Sequence, residues 1–384
     1  MKSDLNSLLK ASNASDINSG LCRDFILMNK DAEVATFTVV GDGAFQEVQI
    51  INTFVEIPDW MKPLSNFIIS RQAPKNRENI KELLKRSGCD TILGYLSITH
   101  ALTLIDTFWV KPENSILTWK DVSLYDNAFN EVVARTAFEG GLHGDNLSTT
   151  SPEYGTDGTF AKCWIREGDK IKLLKRSTTG FKNSGLESYS EFYAAQVAEA
   201  LEINHVNYNL KNHNNIICST CDIFTSEEFG YLPYAAVEKV KSTIPSVVKM
   251  YDKYGYKNFA LDMFVFDSLI FNCDRHKGNF GFIIDNDKQE IIKPAPLFDH
   301  NLSLFCYALK DDFSNVEYIN QLGPRIGNEF VSDSKECLTS EMRRKLINLK
   351  GFKFKKHPKY NLPDWRLEIL EKLINNQIDL ILQK

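Results

Sequence analysis

Four polar side chains that could do chemistry lie close together in one short stretch of the chain. Residues 271–285 read FNCDRHKGNFGFIID and contain Asp274, Arg275, His276 and Asn279. The stretch follows an apolar segment with helical spacing, residues 258–272, and precedes an apolar run typical of a strand. A carboxylate can orient or deprotonate a hydroxyl group, and the oxygen of a short side chain suits Mg²⁺. The residue types and their spacing would suit a loop in which Asp274 serves as the base and Asn279 as a metal ligand.

An Asp and an Asn five positions apart, in a loop that leaves a helix, match the catalytic loop of protein kinases. A metal site of that kind needs a second carboxylate, which kinases supply from an Asp one hairpin downstream. The hairpin FGFIIDNDKQEIIKPAPLFDH contains three candidate aspartates. Asp285 and Asp287 belong to the turn, where Asp commonly bonds the local backbone. We therefore predict that Asp299, at the far end of the return strand, is the principal Mg²⁺ ligand.

Residues 153–191 contain the features expected of a phosphate-binding unit. The turn EYGTDGTF has Gly155 and Gly158, which allow the backbone to approach an anion closely, although the turn is not GxGxxG. Lys175 closes the second strand of the hairpin that follows, and Glu191 lies on the next helix. A strand Lys paired with a helix Glu aligns the α- and β-phosphates in kinases. Glu187, one turn earlier on that helix, is a rival partner that we rank below Glu191.

Further nucleotide contacts are predicted from the neighbouring strands. Lys162, on the first strand of the hairpin, is a second possible phosphate contact. The run ICSTCDIF is expected to form the hinge at which adenine binds through backbone groups, with Asp222 and Phe224 as its nucleotide-binding positions. The Asp and Asn of the 271–285 stretch, taken alone, would be better explained as a structural turn. The kinase order of all these residues along the chain is what favours catalysis.

The surrounding sequence predicts the elements that would position these residues. Three runs within 24–55 are rich in branched and aromatic residues and indicate strands. Residues 159–166 and 170–175 predict a hairpin around Glu-Gly-Asp, and apolar positions at 189, 192, 193, 197 and 201 fall on one helical face. Two strands around an Asn-rich turn follow. The rest is predicted to be mainly helical, with a second hairpin around DNDK and a C-terminal helix.

This order predicts an α+β chain with a bilobal, protein-kinase-like fold and a β-rich N-terminal region. The small lobe would be a β-rich sheet with one helix, and the large lobe would be helical. We place the boundaries at an N-terminal accessory region 1–125, a small lobe 126–230 and a large lobe 231–384.

Composition sets further limits. The 384 residues carry a net charge of −5, so the overall balance does not point to nucleic acid or an anionic membrane. We see no signal peptide in MKSDLNSLLKASNASD and no long apolar run, which favours the cytoplasm. Eight scattered cysteines are typical of free thiols in a reducing compartment. The basic run 343–359 could contact an acidic partner or nucleic acid, but a solvated surface explains it more simply.

These motifs resemble those of the HipA-like serine/threonine kinases. DRHKGN is similar to the DxHxxN loop of that family and to the DRHxxN loop of the related phosphatidylinositol 3- and 4-kinases. APLFDH looks like the family's metal motif. SPEYGTDGTFAKCW, LLK and SEFYAAQVAEAL look like its phosphate loop, ATP lysine and helix glutamate. RQAPKNR and THALTLIDTFWVKP resemble N-terminal regions attached to bacterial HipA-like kinases. The similarity covers most of residues 70–310.

The resemblance implies ATP and Mg²⁺ as cofactors and phosphorylation of Ser or Thr on a protein substrate. It also implies autophosphorylation within the phosphate loop, whose nearby hydroxyls are Thr149, Thr150, Ser151, Thr156 and Thr159. Family members often act as toxins with a DNA-binding antitoxin, so an antitoxin or regulatory partner is expected. We expect no direct nucleic-acid binding and no membrane contact by this chain.

Alternatives remain open at the level of sequence. The shared DRHxxN loop also fits a phosphoinositide kinase, although the segment after Asp299 is poor in the Lys and Arg that would bind a polyanionic lipid. A catalytically silent nucleotide-binding module is the third alternative. His276 stands among the catalytic candidates, but bracing of the loop explains it more simply. Arg275 could order the loop or be a solvated turn residue.

Overall fold

The computed structural model describes residues 23–141 and 143–383. Within these ranges the strands are β1 Asp24–Asn29, β2 Ala32–Val40, β3 Glu47–Thr53, β4 Phe108–Pro112, β5 Lys162–Glu167, β6 Lys170–Arg176, β7 Asn209–His213, β8 Ile216–Asp222, β9 Phe229–Pro233, β10 Gly281–Asp285 and β11 Ile291–Pro294. The helices are α1 Leu64–Ile69, α2 Ile80–Ser87, α3 Ile92–Thr99, α4 Trp119–Val122, α5 Glu131–Glu139, α6 Glu187–Ala200, α7 Tyr234–Val237, α8 Ile244–Lys253, α9 Lys257–Leu269, α10 Val316–Gln321, α11 Phe330–Cys337, α12 Ser340–Leu349 and α13 Asp364–Leu382. The predicted absence of a signal peptide concerns residues outside these ranges.

The N-terminal region is built on an antiparallel sheet with the strand order β3-β2-β1-β4. The alternation of its strands puts Phe25 and Leu27 into a core that also takes up side chains from α2 and α3. Thr91 caps α3 by accepting a hydrogen bond from the Gly94 N–H. The region predicted to be β-rich therefore also contains helices.

The second sheet has the order β5-β6-β8-β7 and is entirely antiparallel. The predicted hairpin is present: β5 and β6 pair in a register that sets Lys162 opposite Lys175. Helix α6 contacts β8 of this sheet. Ala194 and Ala198 are fully buried on α6, and their small side chains allow neighbouring elements to approach the helix closely.

The third part combines helices α7–α13 with a small sheet of order β11-β10-β9. Its core is formed around the apolar helix α9 and includes Phe266, Phe282 and Leu370. Strand β9 was not predicted, since the sequence interpretation passes from β8 directly to helices. It pairs with β10 so that Leu232 lies opposite Phe282. No helix among the described residues is both long and apolar enough to cross a membrane.

The observed chain is thus a mixed arrangement of several sheets and helices, as predicted at that level. Strand β6, helix α6 and the loops before β10 and after β11 carry the catalytic and metal candidates. Strand β5, the turn before it and the end of β8 carry the other predicted nucleotide contacts.

Candidate active site

Lys175 lies at the centre of the candidate site. It is near the end of β6, and only 6% of its surface is exposed. Its ammonium group donates to Glu191 and, at 2.5 Å, to Oδ1 of Asp299. Burial opposes the charged form of this lysine, but the two carboxylates outweigh that effect and raise its pKa. The amine is therefore a fixed cation at neutral pH.

Glu191 is fully buried on α6. One carboxylate oxygen accepts from Lys175 and the other from the Ser219 hydroxyl on β8. Burial raises the pKa of this carboxyl, while Lys175 opposes the rise. Glu187, the rival candidate, instead accepts hydrogen bonds from Thr178 and Tyr307. The geometry thus joins Lys175 to Glu191 and leaves Glu187 with partners of its own.

The 274–279 loop is ordered by a buried arginine. Arg275 is 2% exposed and forms a salt bridge with Asp267 of α9 at 2.9 Å. Its Nη1 donates to two backbone carbonyls, that of Asn279 at 2.9 Å and that of Phe298 at 2.7 Å. One nitrogen therefore joins the loop to the residue before Asp299. Of the two alternatives for Arg275, the solvated turn residue is excluded by this burial.

The side chains of the loop brace one another. The Asn279 amide nitrogen donates to the Asp274 carbonyl at 3.2 Å, which directs the amide oxygen elsewhere. His276 Nδ1 accepts from the Gly278 N–H at 3.0 Å. Asp274 is half-buried, and burial raises its pKa even though the neighbouring His276 opposes the rise. A carboxylate of raised pKa is a better proton acceptor than one in water.

Asp299 has a left-handed backbone, with φ of 59°, which Asp adopts more readily than most residues. Its N–H donates to the Tyr208 hydroxyl at 3.1 Å. Burial alone would raise its pKa, but Lys175 and Lys162 outweigh burial and hold the pKa below its usual range. The carboxylate is therefore ionised and available to a cation.

The donor set at this site fits Mg²⁺ as part of a complex with phosphate. Asp299 supplies an ionised carboxylate and Asn279 a short amide oxygen, both of which are hard ligands. Among residues 23–141 and 143–383, no three His, Cys, Asp or Glu side chains cluster so as to hold a metal by themselves. Mg²⁺ characteristically binds through one or two protein ligands plus substrate phosphates and water, which agrees with this sparse set.

The predicted phosphate turn lies beside the 274–279 loop. Lys162 is buried and donates from Nζ to the Asp157 carbonyl at 2.7 Å. Burial, together with repulsion from Lys175, lowers its pKa to about 8. At Gly158, φ is 93°, in the left-handed region that favours glycine, and a Cβ would lie 2.2 Å from the Lys162 Nζ, which would have to move. The Asp157 carboxylate comes within 4.0 Å of the position of a Cβ on Gly278.

The two predicted hinge residues have different surroundings. Phe224 packs edge-on against Tyr231 and lies 5.4 Å, ring to ring, from Phe298, which brings it next to Asp299. The Asp222 carboxylate is exposed and bonded to Lys170 and Lys172, at 2.9 and 3.0 Å. The side chain of Asp222 therefore lies on the surface of the second sheet, bonded to these lysines, whereas Phe224 lies beside Asp299. Gly155, the first glycine of the predicted phosphate turn, lies against the N-terminal region.

Sequence reasoning missed three residues that the structure places around the site. Tyr208 supports Asp299, as described above. His300 is fully buried, and its Nδ1 lies 3.1 Å from Arg275 Nη2. Arg77, from the N-terminal region, donates to the Thr156 carbonyl of the phosphate turn at 2.8 Å. The motif APLFDH carried a signal for His300, and Arg77 ends the motif RQAPKNR, to which no role was assigned. Nothing local distinguishes Tyr208 from surface residues.

Comparisons with known proteins bear on the class to which this chain is similar. No protein-family model matches the chain. In sequence it is 28% identical, over 153 residues, to the serine/threonine-protein kinase CtkA of Helicobacter pylori. That alignment covers 34% of this chain and 46% of CtkA, so less than half of the relative's length is matched.

Two solved structures are also similar. HipA of Shewanella oneidensis, in a complex with HipB and operator DNA, matches with a TM-score of 0.51 over 93% of this chain and 99% of HipA. At 13% identity this is a likeness of fold. The crystal structure of CtkA matches with a TM-score of 0.48 and 19% identity over 60% of this chain and 93% of CtkA.

The resemblance inferred from the motifs is thereby confirmed: the chain is similar to a serine/threonine kinase in sequence and to HipA in fold. These similarities support a kinase. The further relation to phosphatidylinositol kinases stays a prediction.

Proposed function

We propose that this chain is an ATP- and Mg²⁺-dependent serine/threonine protein kinase of HipA-like type. The observation that carries the proposal is the position of Lys175, whose ammonium group is bonded at once to Glu191 of α6 and to Asp299. A cation held between a helix glutamate and a metal-binding aspartate is what a kinase uses to align nucleotide phosphates. The sequence similarity to a serine/threonine kinase supports the same class of reaction.

Each residue of the site has a role in this proposal. Lys175 and Lys162 bind phosphate oxygens, and Glu191 keeps Lys175 in place. Asp299 and Asn279 would hold Mg²⁺, which when bound neutralises charge on the phosphates. Gly155 and Gly158 let the turn approach the phosphates, and the segment around Phe224 forms one wall beside the nucleotide.

Asp274 acts on the hydroxyl group that accepts the phosphate. Its carboxylate orients a Ser or Thr hydroxyl in line with the γ-phosphorus and takes up the hydroxyl proton. The bond from the hydroxyl oxygen to the γ-phosphorus forms as the bond from that phosphorus to the β–γ bridging oxygen breaks, and ADP leaves. The raised pKa of Asp274 favours proton uptake, and His276, bonded to the Gly278 N–H, fixes the loop in which both lie.

The proposal extends to the architecture and to partners. The second sheet with α6 would be the small lobe of a bilobal kinase, the helical part from about residue 231 the large lobe, and residues 1–125 an accessory region. An antitoxin-like partner fits the fold likeness to HipA, which is seen with HipB. Autophosphorylation of a hydroxyl near the phosphate turn is part of the proposal.

The test is transfer of phosphate from labelled ATP with Mg²⁺, followed by mass spectrometry of the protein itself and of a generic protein substrate. Wild type is expected to incorporate phosphate on Ser or Thr, and Asp274→Ala to incorporate none while still binding nucleotide. Equal phosphorylation of the two proteins would remove Asp274 from the mechanism. A nucleotide-induced thermal shift without any transfer would favour the silent nucleotide-binding module, and transfer to lipid vesicles alone would favour a phosphoinositide kinase.

A further inference from the structure

The phosphate turn is bonded directly to the N-terminal region. The Ala73 N–H donates to the Tyr154 carbonyl at 2.7 Å, and the Glu78 N–H donates to the Thr159 carbonyl at 2.9 Å. The ring of Tyr154 is fully buried in the core of the N-terminal sheet. Both ends of the 152–159 turn are therefore fixed to residues that come before the kinase-like part of the chain.

Arg77 makes the third contact, and it is an unusual one. Only 2% of its surface is exposed, and Nη1 donates to the Thr156 carbonyl at 2.8 Å. Its Nε and Nη2 have no hydrogen-bond partner among the described residues. Glu153 is already bonded by the Ser151 hydroxyl and the Trp164 N–H. A buried guanidinium with unused donors is costly, so such a group calls for an explanation beyond packing.

The bonds to the turn fix the direction of its amides. Arg77 holds the carbonyl of Thr156, and Lys162 holds the next carbonyl, that of Asp157. In a trans peptide the N–H points opposite to its carbonyl, so the amides of residues 157 and 158 face away from the two cations. The Gly158 N–H already donates to a carboxylate oxygen of Asp157 at 2.6 Å. That carboxylate lies towards Gly278 of the 274–279 loop.

We propose that Arg77 is a positioning residue through which the N-terminal region sets the phosphate-binding face of the turn, so that this region completes the nucleotide site. The idea rests on the proposed kinase function for its ligand, the phosphates of ATP. It gives the accessory region a part in nucleotide binding that the sequence does not reveal. A direct consequence is that any partner which shifts residues 73–78 changes nucleotide affinity.

Gly155 offers an independent way to disturb the same contact. Its backbone is not in the left-handed region, so Ala is allowed there by conformation. An added Cβ would lie 2.7 Å from the Leu102 carbonyl and 2.8 Å from Thr103 Cγ2. Gly155→Ala is therefore expected to push the turn away from the N-terminal region without changing any charge.

The experiment compares Arg77→Met, Arg77→Lys and Gly155→Ala with wild type. Arg86→Met is the matched control, because Arg86 is an exposed arginine on α2 that pairs with Glu82 at the surface. Calorimetry measures binding of Mg·ATP, and steady-state assays separate KM from kcat. The fluorescence of Trp164 reports on the turn in the absence of nucleotide, since its indole N–H donates to the Thr156 hydroxyl at 2.8 Å. A Trp164→Phe background shows which part of the signal comes from that residue.

Arg77→Met is expected to weaken Mg·ATP binding about tenfold, the effect of one lost charged hydrogen bond, and to raise KM more than it lowers kcat. Gly155→Ala should act in the same direction, and both should change the Trp164 emission. Arg77→Lys should leave the emission altered, because an ammonium lacks the planar fork of the guanidinium. Arg86→Met should match wild type.

Mg·ATP affinity within twofold of wild type in both Arg77→Met and Gly155→Ala would overturn the proposal, as would full recovery of emission and affinity by Arg77→Lys. If Arg77→Met does not fold, the Mg·ATP affinity of Gly155→Ala alone tests the proposal. If wild type binds no ATP, the proposed function fails, while the Trp164 emission of the nucleotide-free variants still tests whether Arg77 positions the turn.

Discussion

The ammonium nitrogen of Lys175 lies 2.5 Å from Oδ1 of Asp299, although 124 positions separate the two residues along the chain. The contact joins β6 of the second sheet to the loop that follows β11. It also makes Lys175 a partner shared between that loop and Glu191 of α6. A change at any one of these three residues therefore alters the electrostatics of the other two, and this coupling can be measured.

Removal of the shared cation tests this coupling directly. Lys175→Met leaves the carboxylates of Glu191 and Asp299 without their main counter-charge, and breaking a buried ion pair in this way costs about 3–5 kcal/mol. We expect a lower free energy of unfolding, measured by urea titration, and phosphate transfer reduced by at least about 100-fold. Lys170→Met on the same strand is the control, because Lys170 is exposed and pairs with Asp222 at the surface. Near-normal transfer by Lys175→Met would contradict the alignment role.

The two glutamates of α6 should be separable by experiment. Glu191→Gln keeps the shape of the side chain but removes the charge that holds Lys175, so we expect an increase of about tenfold or more in the KM for ATP. Glu187→Gln should leave KM close to wild type, because Glu187 bonds Thr178 and Tyr307 instead. Steady-state kinetics at varied ATP distinguishes the two variants. A larger effect from Glu187 would reverse the assignment.

The pH dependence of transfer should report on Asp274. A base works in its deprotonated form, so activity falls as pH decreases through its pKa, which burial raises above the ordinary value. His276 opposes that rise. His276→Gln is therefore expected to raise the pKa of Asp274 further and to move the acid limb of the kcat profile to higher pH. An unchanged acid limb, with wild-type stability, would contradict this coupling between His276 and the group that sets the limb.

Arg275 should matter for stability as well as for activity. Its guanidinium is buried against Asp267 and bonds the backbone at Asn279 and Phe298. Arg275→Ala is expected to lower the free energy of unfolding by about 3–5 kcal/mol, since it leaves the buried carboxylate of Asp267 without its counter-charge, although the Asn272 amide still donates to it. The exposed Arg344 on α12 provides the control, and Arg344→Ala should change stability by less than about 0.5 kcal/mol. Equal effects of the two substitutions on urea unfolding would contradict a structural role for Arg275.

The sequence predicted the elements near the site better than their assembly. The hairpin that sets Lys162 opposite Lys175 has a local signal in its alternating strands and its Glu-Gly-Asp turn. Strand β9 has no such signal, because FGYLP is short and its pairing with β10 depends on residues about 50 positions away. Arg77 shows the same limit, since its burial depends on a turn some 80 positions downstream. Long-range packing of this kind is not encoded in any local pattern.

The last prediction concerns the metal. Asp299 is the one carboxylate in the predicted ligand pair, and Lys175 and Lys162 keep it ionised against the effect of burial. Asp299→Asn keeps the size of the side chain but removes the negative charge that a divalent cation needs. We expect nucleotide binding to become independent of Mg²⁺, with transfer reduced by at least about 100-fold. Calorimetry with ATP, with and without Mg²⁺, measures the first effect. Asp285→Asn is the matched control, since Asp285 bonds the N–H groups of Asp287 and Lys288 within its own turn. If Asp299→Asn still needs Mg²⁺ for nucleotide binding, the prediction is wrong. The metal would then be held by other oxygens, that of Asn279 among them, and Asp299 would serve only as a partner of Lys175.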